Sequence, residues 1–590
     1  MNTTNGRNPS PGRADGWKVA LIVLGLCSPV ALGASPAPAT SPGPRERQPV
    51  ALAVARSDDR LYVANAKSGS LSIINLLTAK VVAEHDVGRG LSDLATLPDG
   101  RILAVDRAAG ALLLIDVSGD SIRVAGRIDV ASDPVSVVTD GSSCVVASLW
   151  SRRLTFVDVS ARGLLSTGTL PLPFSPRNMV LVGGGKNLVV ADAFGGKLVV
   201  MDRSSRTLGQ VRSLAAHNIR GLAVAPDGRS LVVAHQVLRR AAKTDFEDVH
   251  WGRLLTSHLQ SLRLDAVLTA GTDEDLIKDG CQIDLGFATS GAGDPSALVC
   301  DKSGLVAVSL GGVNEIALGG SPSGFFRRYG VGARPAALAT APDGKMVYVA
   351  DSFDDSISVI SAATGRRVRV IALGRRPEPT LAGRGERLFY DARLSHDGWM
   401  SCHSCHTDGH SNGLLGDTLG DGSYGAPKRI PSLLGTATTG PWSWNGSVAK
   451  LEDQILKSVT FTMRGTAPSP EQVEALTAYV RSLSPPAVES IAPRDAVERG
   501  KTVFRSLGCA DCHAPPTYTT PGRYDVGLVD EAGNREFNPP SLRGVGARAS
   551  LLHDGRAATL DEVFLKHNHP GDVELSRDEA ADLIRFLKSL

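Results

Sequence analysis

Two short strings in this chain have the residue types and the spacing to do chemistry: Cys402-His403-Ser404-Cys405-His406 and Cys509-Ala510-Asp511-Cys512-His513. Both have the form C-x-x-C-H. Thiols at this separation reach the two vinyl groups of one porphyrin, and the histidine that follows is delivered to the iron as an axial ligand. With 8 Cys and 13 His among 590 residues, random placement yields about 0.002 such strings, so the double match is not accidental. The reading is two covalently bound haem c groups. Cys402, Cys405 and His406 hold the first, and Cys509, Cys512 and His513 hold the second. A four-cysteine zinc site is the competing use of paired CxxC strings, but it needs no histidine after each second cysteine. A disulfide framework of such pairs belongs to a short secreted chain, and this one is long.

The sixth ligand of each iron decides what the haems do. An iron with both axial positions filled passes electrons, whereas an open one binds peroxide. Met463 is the one methionine after His406, and none follows His513. Lying 57 residues beyond His406, Met463 is the distal candidate for the first haem; the alternative is a core methionine filling a gap. Met400 is too close to Cys402 to reach the distal face. For the second haem the candidates are His553, His567 and His569, with His553 also able to line the pocket as a hydrogen-bond donor.

The segments that must position these residues are copies of each other. His406 leads after 25 residues to Pro431-Ser432-Leu433, and His513 leads after 27 to Pro540-Ser541-Leu542. Gly446 and Gly555 each follow their proline by 15, and Leu451 and Leu560 follow those glycines by five. Each copy closes with apolar residues at helical spacing, 470–480 in one and 578–587 in the other, with Ser469 and Ser576 as N-caps. The expectation is two tandem helical cytochrome c modules, 380–484 and 496–590, joined by a linker over 485–495, where Ser484-Pro485-Pro486-Ala487 marks the boundary.

Arg393-Leu394-Ser395, the two Pro-Ser-Leu strings and the run Leu552-His553-Asp554-Gly555-Arg556-Ala557-Ala558-Thr559-Leu560 resemble the bacterial di-haem cytochrome c peroxidases and the MauG-like enzymes. The resemblance covers about 380–590. It implies an oxidoreductase in which two haems c relay electrons to reduce hydrogen peroxide. A non-catalytic electron carrier with both irons six-coordinate is the alternative. In that family a distal methionine stands seven residues after the leucine equivalent to Leu560. This chain offers His567 there, which implies a bis-histidine second haem, with His569 as the alternative. The equivalent positions in the first module are Ser458 and, for His553, Trp444. His403 and His410 are expected to be solvated. Glu452 and Glu562 lie in the right neighbourhood for acid–base help, although surface helix carboxylates are the commoner case.

The region before the first C-x-x-C-H string repeats at about forty residues. Five copies are clear, among them Arg60-Leu61-Tyr62-Val63-Ala64-Asn65 and Met346-Val347-Tyr348-Val349-Ala350-Asp351, and two weaker ones end at Ser148 and near Ser309. Turn signals such as Leu97-Pro98-Asp99-Gly100 precede them. Short strands at this period describe a seven-bladed β-propeller over 48–375. The units resemble the YVTN family of propeller repeats. One long gap predicts an insertion in the fifth blade, 236–296. Its histidines suggest a metal or substrate site built from His235, His250 and His258, or else a surface on which the haem modules dock.

Arg7, Arg13 and Lys18 precede an apolar run ending in small residues near Ala34, the layout of a secretory signal (1–34), followed by a Pro/Ala/Ser-rich linker (35–47). An uncleaved anchor is the alternative. Export to the periplasm or cell surface agrees with haem attachment, and in that compartment Cys281 and Cys300 are candidates for a disulfide. Cys144, inside an apolar strand, reads as a buried free thiol. With 63 Lys and Arg against 61 Asp and Glu, a nucleic-acid partner is excluded. The partners expected are a redox protein or a small oxidant such as hydrogen peroxide, with no integral membrane span once the signal is removed.

Overall fold

The computed structural model describes residues 43–55, 57, 59–419, 422–486, 492–571 and 575–590. The signal and most of the linker after it lie outside these residues. Among those described, no helix is long and apolar enough to cross a membrane.

Seven sheets of consecutive antiparallel strands form a β-propeller, and a helical cytochrome-like region follows. Blade one is Pro49–Val54, Arg60–Asn65, Ser70–Asn75 and Lys80–Asp86. The sequence repeats are the second strands of the blades, including Ser143–Ser148 and Val306–Leu310 for the two weaker copies. These strands are almost wholly buried because both faces pack on neighbouring blades, so they read as continuous apolar runs. The fourth strands alternate and face water.

Every first strand carries a bulge near its start, and five of the seven begin with proline: Pro49, Pro134, Pro176, Pro295 and Pro335. Proline is tolerated there because the first residue of a strand has no ladder bond to donate. The ring closes by packing. Leu61, Val63 and Ile74 of blade one meet Tyr348, Ile357 and Ile371 of blade seven, and the Arg47 and Gln48 amides donate to the Asp355 carboxylate at 3.0 and 2.8 Å.

The segment 236–296 is not one insertion. Leu255–Arg263 and Cys281–Asp284 are the third and fourth strands of blade five, and the extra length is split between two helical excursions on either side of Leu255–Arg263. His258 and Gln260 occupy buried positions of that strand, which hid it from an apolar-pattern reading.

Each cytochrome module crosses a leading helix over a closing one: Leu381–Phe389 on Pro470–Ser482, and Arg494–Ser506 on Arg577–Leu587. Ser469 and Ser576 cap the closing helices in capping boxes with Gln472 and Glu579. The leading helices were not predicted. What fixes each crossing is a glycine. A Cβ on Gly385 would lie 1.9 Å from the Ala475 carbonyl and 2.8 Å from the Tyr479 Cβ, and one on Gly500 would lie 1.9 Å from the Asp582 carbonyl and 2.8 Å from the Phe586 Cβ. Because the obstacle is backbone, Gly385→Ala and Gly500→Ala should each destabilise by about 2–3 kcal/mol, read as a lower urea midpoint with an unchanged slope.

Candidate haem centres and the propeller seat

Cys402, Cys405 and His406 line one wall of a cavity whose other walls include Met463, Met400, Trp444, Arg429 and Arg548. Cys402–Cys405 is a single helical turn that presents both thiols to the same space. His406 Nδ1 is bound to the Pro431 carbonyl at 2.9 Å, which leaves Nε2 for a metal. Burial pulls the His406 pKa down to about 4, so the ring is neutral at pH 7, the state in which imidazole ligates.

Met463 is 4% exposed and packs in one apolar cluster with Met400, Cys402 and Cys405. The helix Leu451–Lys457 runs into a π-helical turn, Ser458–Thr462, and Met463 caps it by donating its N–H to the Ser458 carbonyl at 2.9 Å. One extra residue in a turn rotates whatever follows by about 100°. That rotation sets Met463 against the cavity.

The donor set fits a haem on a further observation. Arg429 is buried and Arg548 largely buried in this cavity wall, and desolvation lowers their pKa values to about 9 and about 10. Among the described residues neither meets a carboxylate: Arg429 Nε donates to the Leu552 carbonyl at 3.1 Å, and Arg548 donates to the Ser541 and Arg543 carbonyls. Two buried cations with no counter-charge call for an anionic ligand, and haem carries two propionates.

The first C-x-x-C-H knuckle is seated on the propeller. Ser401 and Ser404 donate to the Asp294 carboxylate of blade six, the latter at 2.6 Å. His217 Nε2 lies 3.0 Å from the Ser404 carbonyl and Gln236 Nε2 donates to Ser404 Oγ at 3.3 Å. Asp408, two residues past the knuckle, enters the mouth of the central channel and accepts from Arg177 and from Arg220, the latter at 2.9 Å. Burial would raise the Asp408 carboxyl, but the two guanidiniums outweigh it and hold it well below the usual carboxylate range.

Asp408→Ala removes the carboxylate shared by two largely buried guanidiniums, of which Arg220 keeps its bond to Asn218 Oδ1, and should cost about 3 kcal/mol, measured by denaturant unfolding. Because the folded pKa is depressed, the stabilisation is complete at neutral pH and is lost as pH falls below about 4.

His403 and His410, expected in solvent, are buried. His403 accepts the Asp408 N–H at 3.0 Å and packs on Tyr390, and the His410 ring is wedged against Trp150 and Phe194 of the propeller. Docking on the blades converted both from surface to core.

In the second module His513 Nδ1 lies 3.2 Å from the Tyr518 carbonyl, the counterpart of the His406 arrangement, and burial lowers its pKa to about 4. The ring facing it belongs to His569, not His567: the His513 and His569 centroids are 6.4 Å apart with planes at 67°. Two imidazoles bound on opposite sides of one iron at about 2.0 Å, each with ~1.1 Å from nitrogen to ring centre, would put the centroids ~6.2 Å apart. His567 turns away and its Nε2 lies 3.3 Å from the Arg556 carbonyl. The helix Leu560–Leu565 ends too early to carry position 567 inward.

His553 sits at the seam between modules, stacked on Phe537 at 4.1 Å with Trp444 at 6.4 Å and both ring nitrogens unpartnered. Glu452 pairs with Arg481 on the surface, and Glu562 caps its own helix through the Ala558 N–H.

In the propeller, His235 and His258 are neighbours on paired strands with rings 5.6 Å apart, and His258 Nδ1 reaches Asp284 at 2.8 Å. His250 stands apart from them, against His396 and Asp397 of the first module. Cys281 and Cys300 are free thiols. No bridge forms because Cys281 lies on the outermost strand of blade five and Cys300 on the innermost strand of blade six. Cys144 is buried and its thiol pushed up to about 12 by that burial.

The chain joins a seven-bladed β-propeller to a duplicated, helical, cytochrome peroxidase-like region. Residues 380–484, which include the first knuckle and Met463, match the di-haem cytochrome c peroxidase family, so the C-terminal region carries a domain of that family. The chain is 26% identical to methylamine utilization protein MauG of Methylorubrum extorquens, over 43% of this chain and 91% of the relative. It is 25% identical to cytochrome c551 peroxidase of Nitrosomonas europaea, over 36% of this chain and 79% of the relative. A solved structure of Kuenenia stuttgartiensis hydrazine synthase superposes with a TM-score of 0.48 at 17% identity, covering 56% of this chain and 99% of that one. The family match and the two peroxidase and MauG relatives support a peroxidase-like di-haem redox function.

Proposed function

We propose that the protein is an exported di-haem cytochrome that reduces hydrogen peroxide, H2O2 + 2 e⁻ + 2 H⁺ giving two H2O, with electrons from a redox partner relayed between two covalently held haems c. The observation that carries the reading is the pair of C-x-x-C-H knuckles, each with its histidine fixed through Nδ1 to a carbonyl. When bound, the haems supply electron storage and the iron at which peroxide is reduced.

The chain supplies the rest. Cys402, Cys405, Cys509 and Cys512 tether the two porphyrins, while His406 and His513 present Nε2 to the irons. Arg429 and Arg548 take the propionates of the first haem. Met463 would be the second protein ligand of the first haem, and His569 that of the second.

One observation favours the alternative, an electron carrier whose propeller is a partner platform: Met463 lines the cavity with His406, and the His569 ring stands 6.4 Å from that of His513, so each centre would have a candidate second ligand. Protein made in a host able to attach haem c separates the readings. Peroxidase function requires a mass gain of two porphyrins per chain, high-spin character at one iron on partial reduction, and peroxide consumption that depends on a reduced donor. Low-spin spectra in every redox state with no peroxide consumption would leave the electron carrier.

A further inference from the structure

A second group of metal-binding side chains lies outside both haem centres, where the propeller meets the first module. His250 ends the short helix Phe246–His250 in blade five. His396 and Asp397 stand in the turn just before the first knuckle. His250 Nδ1 is 3.2 Å from His396 Nε2 and 2.7 Å from Asp397 Oδ2, and the third side, His396 Nε2 to Asp397 Oδ2, is 3.3 Å.

We propose that His250, His396 and Asp397 bind one divalent first-row transition-metal ion of the Zn²⁺ class, which ties blade five to the first haem module.

Three arguments carry this. The first is geometric. Ligands at 2.0–2.1 Å around a tetrahedral zinc are about 3.3 Å from one another; two edges of the donor triangle, 3.2 and 3.3 Å, match that spacing, and the third, His250 Nδ1 to Asp397 Oδ2, is shorter at 2.7 Å. An ion about 2 Å from all three would sit roughly 1 Å out of their plane, leaving a fourth position for water.

The second is hydrogen-bond accounting. His250 Nδ1 has either one proton or one lone pair to offer, yet it meets an imidazole nitrogen and a carboxylate oxygen together. Asp397 Oδ2 is already approached by the Thr289 N–H at 3.2 Å. A proton on each imidazole would serve Asp397 Oδ2 but leave two N–H groups facing each other at 3.2 Å, whereas one cation between them engages all three atoms.

The third is preorganisation. The Trp399 indole donates to the His250 carbonyl at 3.2 Å, the His396 N–H donates to the Met463 carbonyl at 2.9 Å, and Asp397 is held at φ 59°. Phe246 stacks on the His250 ring at 5.5 Å with planes 8° apart. The three side chains are 15–29% exposed, enough for an ion to enter. The donor set, two imidazoles and one carboxylate, is that of zinc and related divalent ions rather than calcium or magnesium.

The test uses the full-length, haem-loaded protein stripped with EDTA, with ZnCl2 as the probe. Calorimetric titration should give one zinc per chain, and the zinc-edge absorption spectrum should show imidazole scattering from two histidines. His250→Ala, and separately His396→Ala on the other side of the junction, should each weaken zinc binding at least ~100-fold while the Soret spectrum stays that of the parent. Equal zinc affinity in parent and both variants, or a zinc-edge spectrum without imidazole scattering, would overturn the proposal. Should one variant not fold, the other and the absorption spectrum still decide it.

Discussion

His569→Ala is expected to open the second iron. Its ring is the one that faces His513 at the separation a shared iron requires, and its Nδ1 is buried with no hydrogen-bond partner among the described residues. Oxidised protein should gain a high-spin signal from about one haem in two, and peroxide consumption by the resting enzyme should rise by about tenfold or more, because a vacant position replaces a ligand that must otherwise leave. His567→Ala should change neither, since that ring reaches only a backbone carbonyl. If the high-spin signal follows position 567 instead, the assignment of the second centre is wrong.

The second large effect is expected at Met463. A thioether ligand raises the potential of a haem, and only a high-potential first centre accepts electrons readily from a donor protein. Met463→Ala should lower that potential, convert the first haem to high spin and reduce donor-dependent turnover by about tenfold or more. Met463→His restores six-coordination without the thioether, so it should recover the low-spin spectrum but not the potential. That split distinguishes a ligand from a packing residue, which Leu would replace with little change.

Much of this was legible in the chain. The knuckles, the propeller repeats and the capping serines are local patterns, and local patterns survive without knowledge of the fold. Two kinds of information did not. Gly385 and Gly500 mark the helix crossings, but a glycine in a polar helix carries no apolar signal, so the leading helices of both modules went unread. Burial of His403 and His410 and the meeting of His250 with His396 and Asp397 depend on contacts between segments some 150 to 260 residues apart. The choice between His567 and His569 turned on where a short helix stops, and helix ends are the least predictable part of a helix.

The seating of the first knuckle also sets an order on biogenesis. Ser401, His403 and Ser404 lie sealed beneath the blades, while the Cys402 and Cys405 thiols face the cavity on the other side of the knuckle. A thioether-forming enzyme that had to grip the whole knuckle would meet it only before docking, so the proposed porphyrin attachment would come before assembly against the propeller.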